Sequence, residues 1–224
     1  MGAGHARGVQ VGARPAAVRR PLGVIGQRFG HQRHAFASYG YGYGYDDCPA
    51  HPTWLPPKEW LGADLAKTFP LHLISNQPKT RLHSQYDLAG VSRDAKRNGR
   101  EVLRMHPQDA EHRGLSEGDI IRVFNARGAC LAALCIDDAM RPGVVQLPTG
   151  AWFDPSPDAP DDQGKPLERH GNPNVLCPDR GASQLSQAPS AQSCLVEVEP
   201  FQGDLPEVEA FIPPQIVRRS VPDA

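Results

Sequence analysis

Two polar stretches carry most of the groups that could do binding chemistry. Ser75-Asn76-Gln77-Pro78-Lys79-Thr80-Arg81-Leu82-His83-Ser84-Gln85 sets hydroxyl, amide, ammonium, guanidinium and imidazole groups directly after the apolar run Leu71–Ile74. No carboxylate follows until Asp87, which suits an anionic ligand. Arg81 offers a bidentate fork to a phosphate and Lys79 a point charge. The same composition also suits an ordinary hydrophilic loop. In the second stretch, His170–Gly181, Gly171 and Gly181 permit close backbone approach to a ligand. Asn172 and Asn174 combine donors with acceptors, as reading the edge of a nucleobase or pterin requires, and Asp179 can accept two hydrogen bonds from such an edge. Asn-Pro and Pro-Asp are equally at home in turns.

The elements that must position these loops are short. Leu71–Ile74 reads as a buried strand and Val102–Met105 as a second. Pro107 suits a first helical position, and Gln108–Arg113 makes about two turns before Gly114 stops them. Ile120–Phe124 and Ala129–Ile136 form a hairpin around Asn125–Gly128. Arg141-Pro142-Gly143 turns into Val144–Leu147, and Cys194–Val198 supplies a late strand. Lys58–Thr68 is expected to form a short helix with Trp60, Leu61 and Leu65 on one face. The whole reads as an all-β barrel with one or two short helices. Gly150–Ser190 reads as a long irregular stretch, and such loops inside compact domains are usually functional.

Lys and Arg total 24 against 25 Asp and Glu, a formal net charge of -1. This gives no bias towards nucleic acid or membrane surfaces, and no apolar run approaches the ~20 residues of a membrane span. Residues 1–45 contain no acid, several arginines and a Tyr/Gly repeat, and are expected to be a disordered arm. Arg19-Arg20 hints at an export motif, but Pro21 and a short, Gly-broken apolar run weigh against it, so a cytoplasmic location is expected, or a periplasmic one if the native N-terminus is missing. Residues 46–68 read as a connector, 69–200 as the barrel and 201–224 as a tail. The 5 cysteines are odd in number and lack CxxC spacing, which favours buried apolar roles over a metal or redox site.

Phe69–Gln85, His106–Asp119, Arg141–Trp152 and His170–Gln187 together resemble the last domain of the dimethyl-sulfoxide-reductase family, in order and approximate spacing. Asp46-Asp47-Cys48-Pro49 and His51-Pro52-Thr53-Trp54 look most like the biotin-sulfoxide, trimethylamine-N-oxide and dimethyl-sulfoxide reductases. The resemblance spans roughly Phe36 to Pro200. It implies a double-psi β-barrel that closes over a bis(molybdopterin guanine dinucleotide) molybdenum cofactor. Ser75, Asn76, Gln77, Lys79, Arg81, His83 and Ser84 would then contact pterin and phosphate groups. Asn172, Asn174, Asp179 and Gln187 would contact pterin or guanine edges. The metal ligand, in this subgroup a serine, belongs to an earlier domain, so no metal-binding or catalytic residue is assigned. The resemblance implies a fragment or separately encoded piece of a molybdenum oxidoreductase, acting in S- or N-oxide reduction only with the catalytic domains. A stand-alone pterin carrier and a barrel with a decayed site are the alternatives. Cys177 and Ala182 stand where the family usually has Thr, Ala188 where it has Gly, and His106 where it has Asn, a change expected to lose a helix cap.

Overall fold

In a computed structural model of the chain, residues 47, 54–160, 164–183, 188–213 and 216 are described. The basic arm and Gln187 lie outside them. The chain divides into two units, Pro56–Arg180 with Ser190–Ala224, and Met1–Leu55 with Gly181–Pro189. In the second of these, Gly181 pairs with Pro189 and Ala182 N donates to Ala188 O at 2.7 Å. All that follows concerns the larger unit.

Its strands are β1 (Leu71–Ile74), β2 (Val102–Met105), β3 (Ile120–Asn125), β4 (Gly128–Ile136), β5 (Val144–Gln146), β6 (Pro155–Pro160), β7 (Pro166–Glu168) and β8 (Cys194–Pro200). They run in the order β2-β5-β1-β8-β3-β4-β7-β6, and β2 also pairs with β4. That last pairing closes six strands into a barrel and leaves β7 and β6 as an extension from β4. Pairs β1–β5 and β2–β4 are parallel; β1–β8, β2–β5, β3–β4 and β3–β8 are antiparallel. Closure removes the exposed edges that short strands would otherwise present. The expected all-β barrel is therefore present, with two short helices among the described residues, α1 (Gly90–Asp94) and α2 (Pro107–Glu111).

The interior is aliphatic. Leu71, Leu73, Leu103, Met105, Ile121, Val123, Leu134 and Val145 are buried inside it. Residues 128–134 of β4 are all buried because the strand is flanked by β3 on one side and by β2 and β7 on the other. A smaller cluster of Ala129, Leu131 and Leu167 packs with Phe124 and Phe201.

Three sequence expectations need correction. Lys58–Thr68 is not a helix: only Asp64–Lys67 makes a 3-10 turn, because Ala63 is extended at φ -83°, ψ 155°. Leu61 and Leu65 remain exposed. Gly150–Ser190 is not structureless, since β6 and β7 lie within it. Their prolines hide them from a strand pattern, and β6 tolerates proline because it is the edge strand. His106 does cap α2: its Nδ1 accepts from Gln108 N at 3.1 Å.

Candidate functional site

The first polar loop leaves β1 and wraps around Arg81. Gln77 Nε2 donates to the Arg81 carbonyl at 2.6 Å, and Ser92 Oγ of α1 donates to Thr80 O at 3.1 Å. The Arg81 guanidinium turns inward. Nη2 donates to Thr149 O at 2.8 Å, while Nη1 lies 3.0 Å from Glu101 and 3.4 Å from Asp87. Lys96 pairs with the same two carboxylates, at 2.9 Å from Asp87 and in contact with Glu101. All four side chains are at most 6% exposed. Two cations and two anions thus neutralise one another in the interior, where an unpaired charge would be heavily penalised.

A third segment, Thr149–Phe153, is fixed by this network. Asp87 Oδ2 accepts Trp152 N at 2.9 Å, Trp152 Nε1 donates to Ser84 O at 2.8 Å, and Thr149 N donates to Asn76 O at 3.0 Å. Gly150 is required there. It sits at φ +96°, and a Cβ would stand 1.7 Å from the His83 carbonyl oxygen. His83 itself has φ +50°, a left-handed conformation uncommon outside glycine and often found at functional sites.

The second polar loop is held at its start and midway along. At its start Glu168, wholly buried on β7, accepts four backbone N–H groups. Oε2 takes Gly171 N and Asn172 N at 2.7 Å each, and Oε1 takes His170 N at 3.1 Å and Asp154 N at 3.2 Å. Burial pushes the Glu168 carboxyl up to about 7 against the opposing pull of these N–H groups. Midway along, the Leu176 carbonyl accepts from Asn125 Nδ2 at 2.9 Å and Arg127 Nε at 2.6 Å. Arg127 is in turn braced by Glu59 through bonds of 2.7 and 2.9 Å. His170 Nδ1 bonds to Trp152 O at 2.9 Å, and burial lowers the imidazole pKa, keeping the ring neutral.

The three segments meet around a cleft of about 460 Å³, within the range of ordinary ligand sites. His83 and Ser84 line it from the first loop, Trp152 and Phe153 from the middle segment, and Asn172 and Asn174 from the second loop. No charged Asp, Glu, Lys or Arg side chain is among its lining residues. The lining is amide, imidazole, hydroxyl and aromatic, which favours a planar heterocycle over a phosphate.

Other expected site residues lie elsewhere. Ser75 is buried and exchanges hydrogen bonds with Gln192 at 3.1 and 2.7 Å. Gln77, Lys79 and Asp179 are exposed outside the lining. The Arg81 guanidinium is buried and braces the loop from within, against Thr149 O, Asp87 and Glu101. Asn76 is half-buried outside the lining, and its Oδ1 is enclosed with no hydrogen-bond partner. Among the described residues no cluster of His, Cys, Asp and Glu could hold a metal ion, and no helix is long and apolar enough to cross a membrane. The sequence reading missed Glu168, Trp152 and the Asp87–Lys96–Glu101 group. Glu168 had a signal: an acid ending a short strand just before a Gly-containing loop can accept that loop's N–H groups.

Residues 71–195 match the family described as molydopterin dinucleotide binding domain. Biotin sulfoxide reductase of Cereibacter sphaeroides is 48% identical over 71% of this chain and 20% of its own length. Dimethyl sulfoxide/trimethylamine N-oxide reductase of the same organism is 42% identical over 76% of this chain and 20% of its own length. Trimethylamine-N-oxide reductase 1 of Escherichia coli (strain K12) is 44% identical over 73% of this chain and 19% of its own length. The chain thus spans about a fifth of the length of these relatives. Acetylene hydratase from Pelobacter acetylenicus shares the fold at a TM-score of 0.57 and 22% identity, covering 75% of this chain and 22% of the other.

Proposed function

This chain belongs to the molydopterin dinucleotide binding domain family, and we propose that its cleft receives a heterocyclic end, guanine or pterin, of a molybdopterin guanine dinucleotide. The observation that carries this reading is the convergence of His83 and Ser84 with Asn172 and Asn174 on one uncharged cleft. The donor set fits. A guanine or pterin edge alternates donors and acceptors, as carboxamides do, and Trp152 and Phe153 offer aromatic surface to a flat ring.

When bound, the molybdenum cofactor supplies oxygen-atom transfer; the residues of this chain bind it, orient it and exclude water. By analogy with relatives named for sulfoxides and N-oxides, the chain serves reduction of such oxides together with further domains of a reductase. Exposed apolar side chains in the segment after His83 and Ser84 support a covering partner. Tyr86 is 71%, Val91 64% and Leu88 48% exposed, and Phe153 of the cleft lining is 60% exposed. Such a patch suits contact with another domain.

Calorimetric titration with guanosine diphosphate and with a simple pterin tests the reading. Saturable binding that weakens in Asn174→Ala is expected; no binding of either compound would overturn it. Co-expression with the remaining domains of a related reductase tests the partner, with sulfoxide or N-oxide reduction as the readout.

A further inference from the structure

The segment Leu205–Ile212 lies beyond the last strand and outside the residues that match the family. It forms no strand or helix, yet it is tied down at several independent points. Asp154 Oδ2 accepts Glu209 N at 2.7 Å and Ala210 N at 2.9 Å. Arg169 Nη2 donates to Glu209 Oε2 at 2.6 Å. Arg100 donates to the Pro206 carbonyl, and Val208 packs 3.5 Å from where a Cβ on Gly99 would be.

These ties deliver one aromatic side chain. The Phe211 ring lies 5.5 Å from that of Trp152 at 66°, and 5.1 Å from that of His170 at 90°. Both contacts are edge-to-face, the arrangement that orients rings as well as burying them. Trp152 lines the cleft and reaches Ser84 of the first loop. His170 begins the second loop, and its Nδ1 bonds back to Trp152 O. His170 Nε2 is buried with no hydrogen-bond partner, so beyond the Nδ1 bond its ring is held by packing.

We propose that Phe211 is a positioning residue for the cleft. It sets the Trp152 indole so that Nε1 meets Ser84 O, and it presses His170 into place, so that both polar loops keep their spacing. The C-terminal segment is thereby part of the binding site. The consequence for ligand affinity rests on the cofactor reading above; the positioning itself does not.

The full chain is compared with Phe211→Ala, Phe211→Tyr and Phe211→Leu. Amide hydrogen exchange is followed at Trp152, Gly171 and Asn172, with β3 and β4 as internal reference, and guanosine diphosphate and a simple pterin are the ligand probes. Phe211→Ala should speed exchange at the three cleft amides and weaken probe binding, each roughly tenfold, the scale of a lost aromatic pair. β3 and β4 should remain protected. Phe211→Tyr, which keeps the ring, should restore both; Phe211→Leu, which keeps bulk without a ring, should not. Wild-type exchange and affinity in Phe211→Ala, or equal rescue by leucine and tyrosine, would overturn the proposal. If the wild type binds neither probe, the cofactor reading fails and the exchange arm alone decides the positioning.

Discussion

The indole Nε1 of Trp152 donates to the carbonyl oxygen of Ser84 at 2.8 Å, joining two segments 68 residues apart in the chain. The same tryptophan gives its backbone N–H to Asp87 and takes the His170 Nδ1–H on its carbonyl. One residue therefore connects the first polar loop, the buried charge group and the second polar loop.

Trp152→Phe keeps an aromatic surface but deletes the Nε1 donor. The loss should be about 1 kcal/mol of stability, the net worth of one hydrogen bond. Exchange at the amides near Ser84 should rise, while the barrel strands stay unchanged. Urea unfolding with residue-resolved hydrogen exchange checks both; a globally destabilised protein with an unaltered first loop would contradict the role given to this bond.

Arg81→Met should be far more damaging. It leaves Asp87 and Glu101 with only Lys96 between them in a site almost closed to water, and breaking a buried charge group by one partner costs about 3–5 kcal/mol. Arg81→Lys keeps the charge but not the planar fork that reaches Thr149 O as well as the carboxylates. It should fall between the wild type and Arg81→Met in urea unfolding. If Arg81→Met were as stable as the wild type and only ligand binding suffered, the arginine would be a phosphate contact after all.

Glu168 makes stability depend on pH. Its folded-state pKa is raised from 4.5 to about 7 by burial, so the folded protein retains a proton that the unfolded chain releases. The stability contributed by that proton is complete below about 4.5 and is lost as pH rises through about 7. The lowered pKa of His170 works in the opposite sense, its contribution being lost as pH falls below the ordinary imidazole range. Glu168→Gln shares the histidine and lacks the carboxyl. The difference in unfolding free energy, wild type minus variant, should fall between pH 4.5 and 7.5, with a slope approaching about 1.4 kcal/mol per pH unit. A flat or rising difference would show that the four N–H groups, not burial, set the charge state.

The barrel was legible because apolar runs such as Leu71–Ile74 and Ile120–Phe124 coincide with buried strands, and the punctuation of Gly114 and Arg141-Pro142-Gly143 falls at real turns. The edge strand Pro155–Pro160 was not, because its prolines contradict strand propensity and only its place at the sheet margin permits them. Of the site, the two polar loops were legible as composition. The direction of each side chain was not. Arg81 reads as a phosphate ligand until Asp87, Lys96 and Glu101 are seen to enclose it, and their partnership depends on folding rather than spacing. Trp152 meets Asp87 and Ser84, 65 and 68 residues away in the chain, which no local pattern displays. Glu168, in contrast, accepts N–H groups of the loop that follows it but ends a strand that prolines disguise.

Gly171→Ala tests how closely the second loop must approach β2. Gly171 has φ +97°, and an added Cβ would stand 2.6 Å from Glu101 Cβ and 3.1 Å from Glu101 N. Two penalties therefore coincide: a left-handed backbone, costing about 1–3 kcal/mol for a non-glycine residue, and a contact that neither backbone can relieve by a side-chain rotation. Gly164→Ala supplies the control, since Gly164 has φ +73° but nothing within 4 Å of its would-be Cβ. Gly164→Ala should show the backbone penalty alone and leave guanosine diphosphate binding intact. Gly171→Ala should be clearly less stable than that control in urea unfolding. It should also bind the nucleotide more weakly, because moving residue 171 off Glu101 breaks the N–H bonds to Glu168 that set Asn172 at the cleft. Equal stability of the two variants would mean that the loop can retreat from β2 without loss, and that Glu168 does not fix its position.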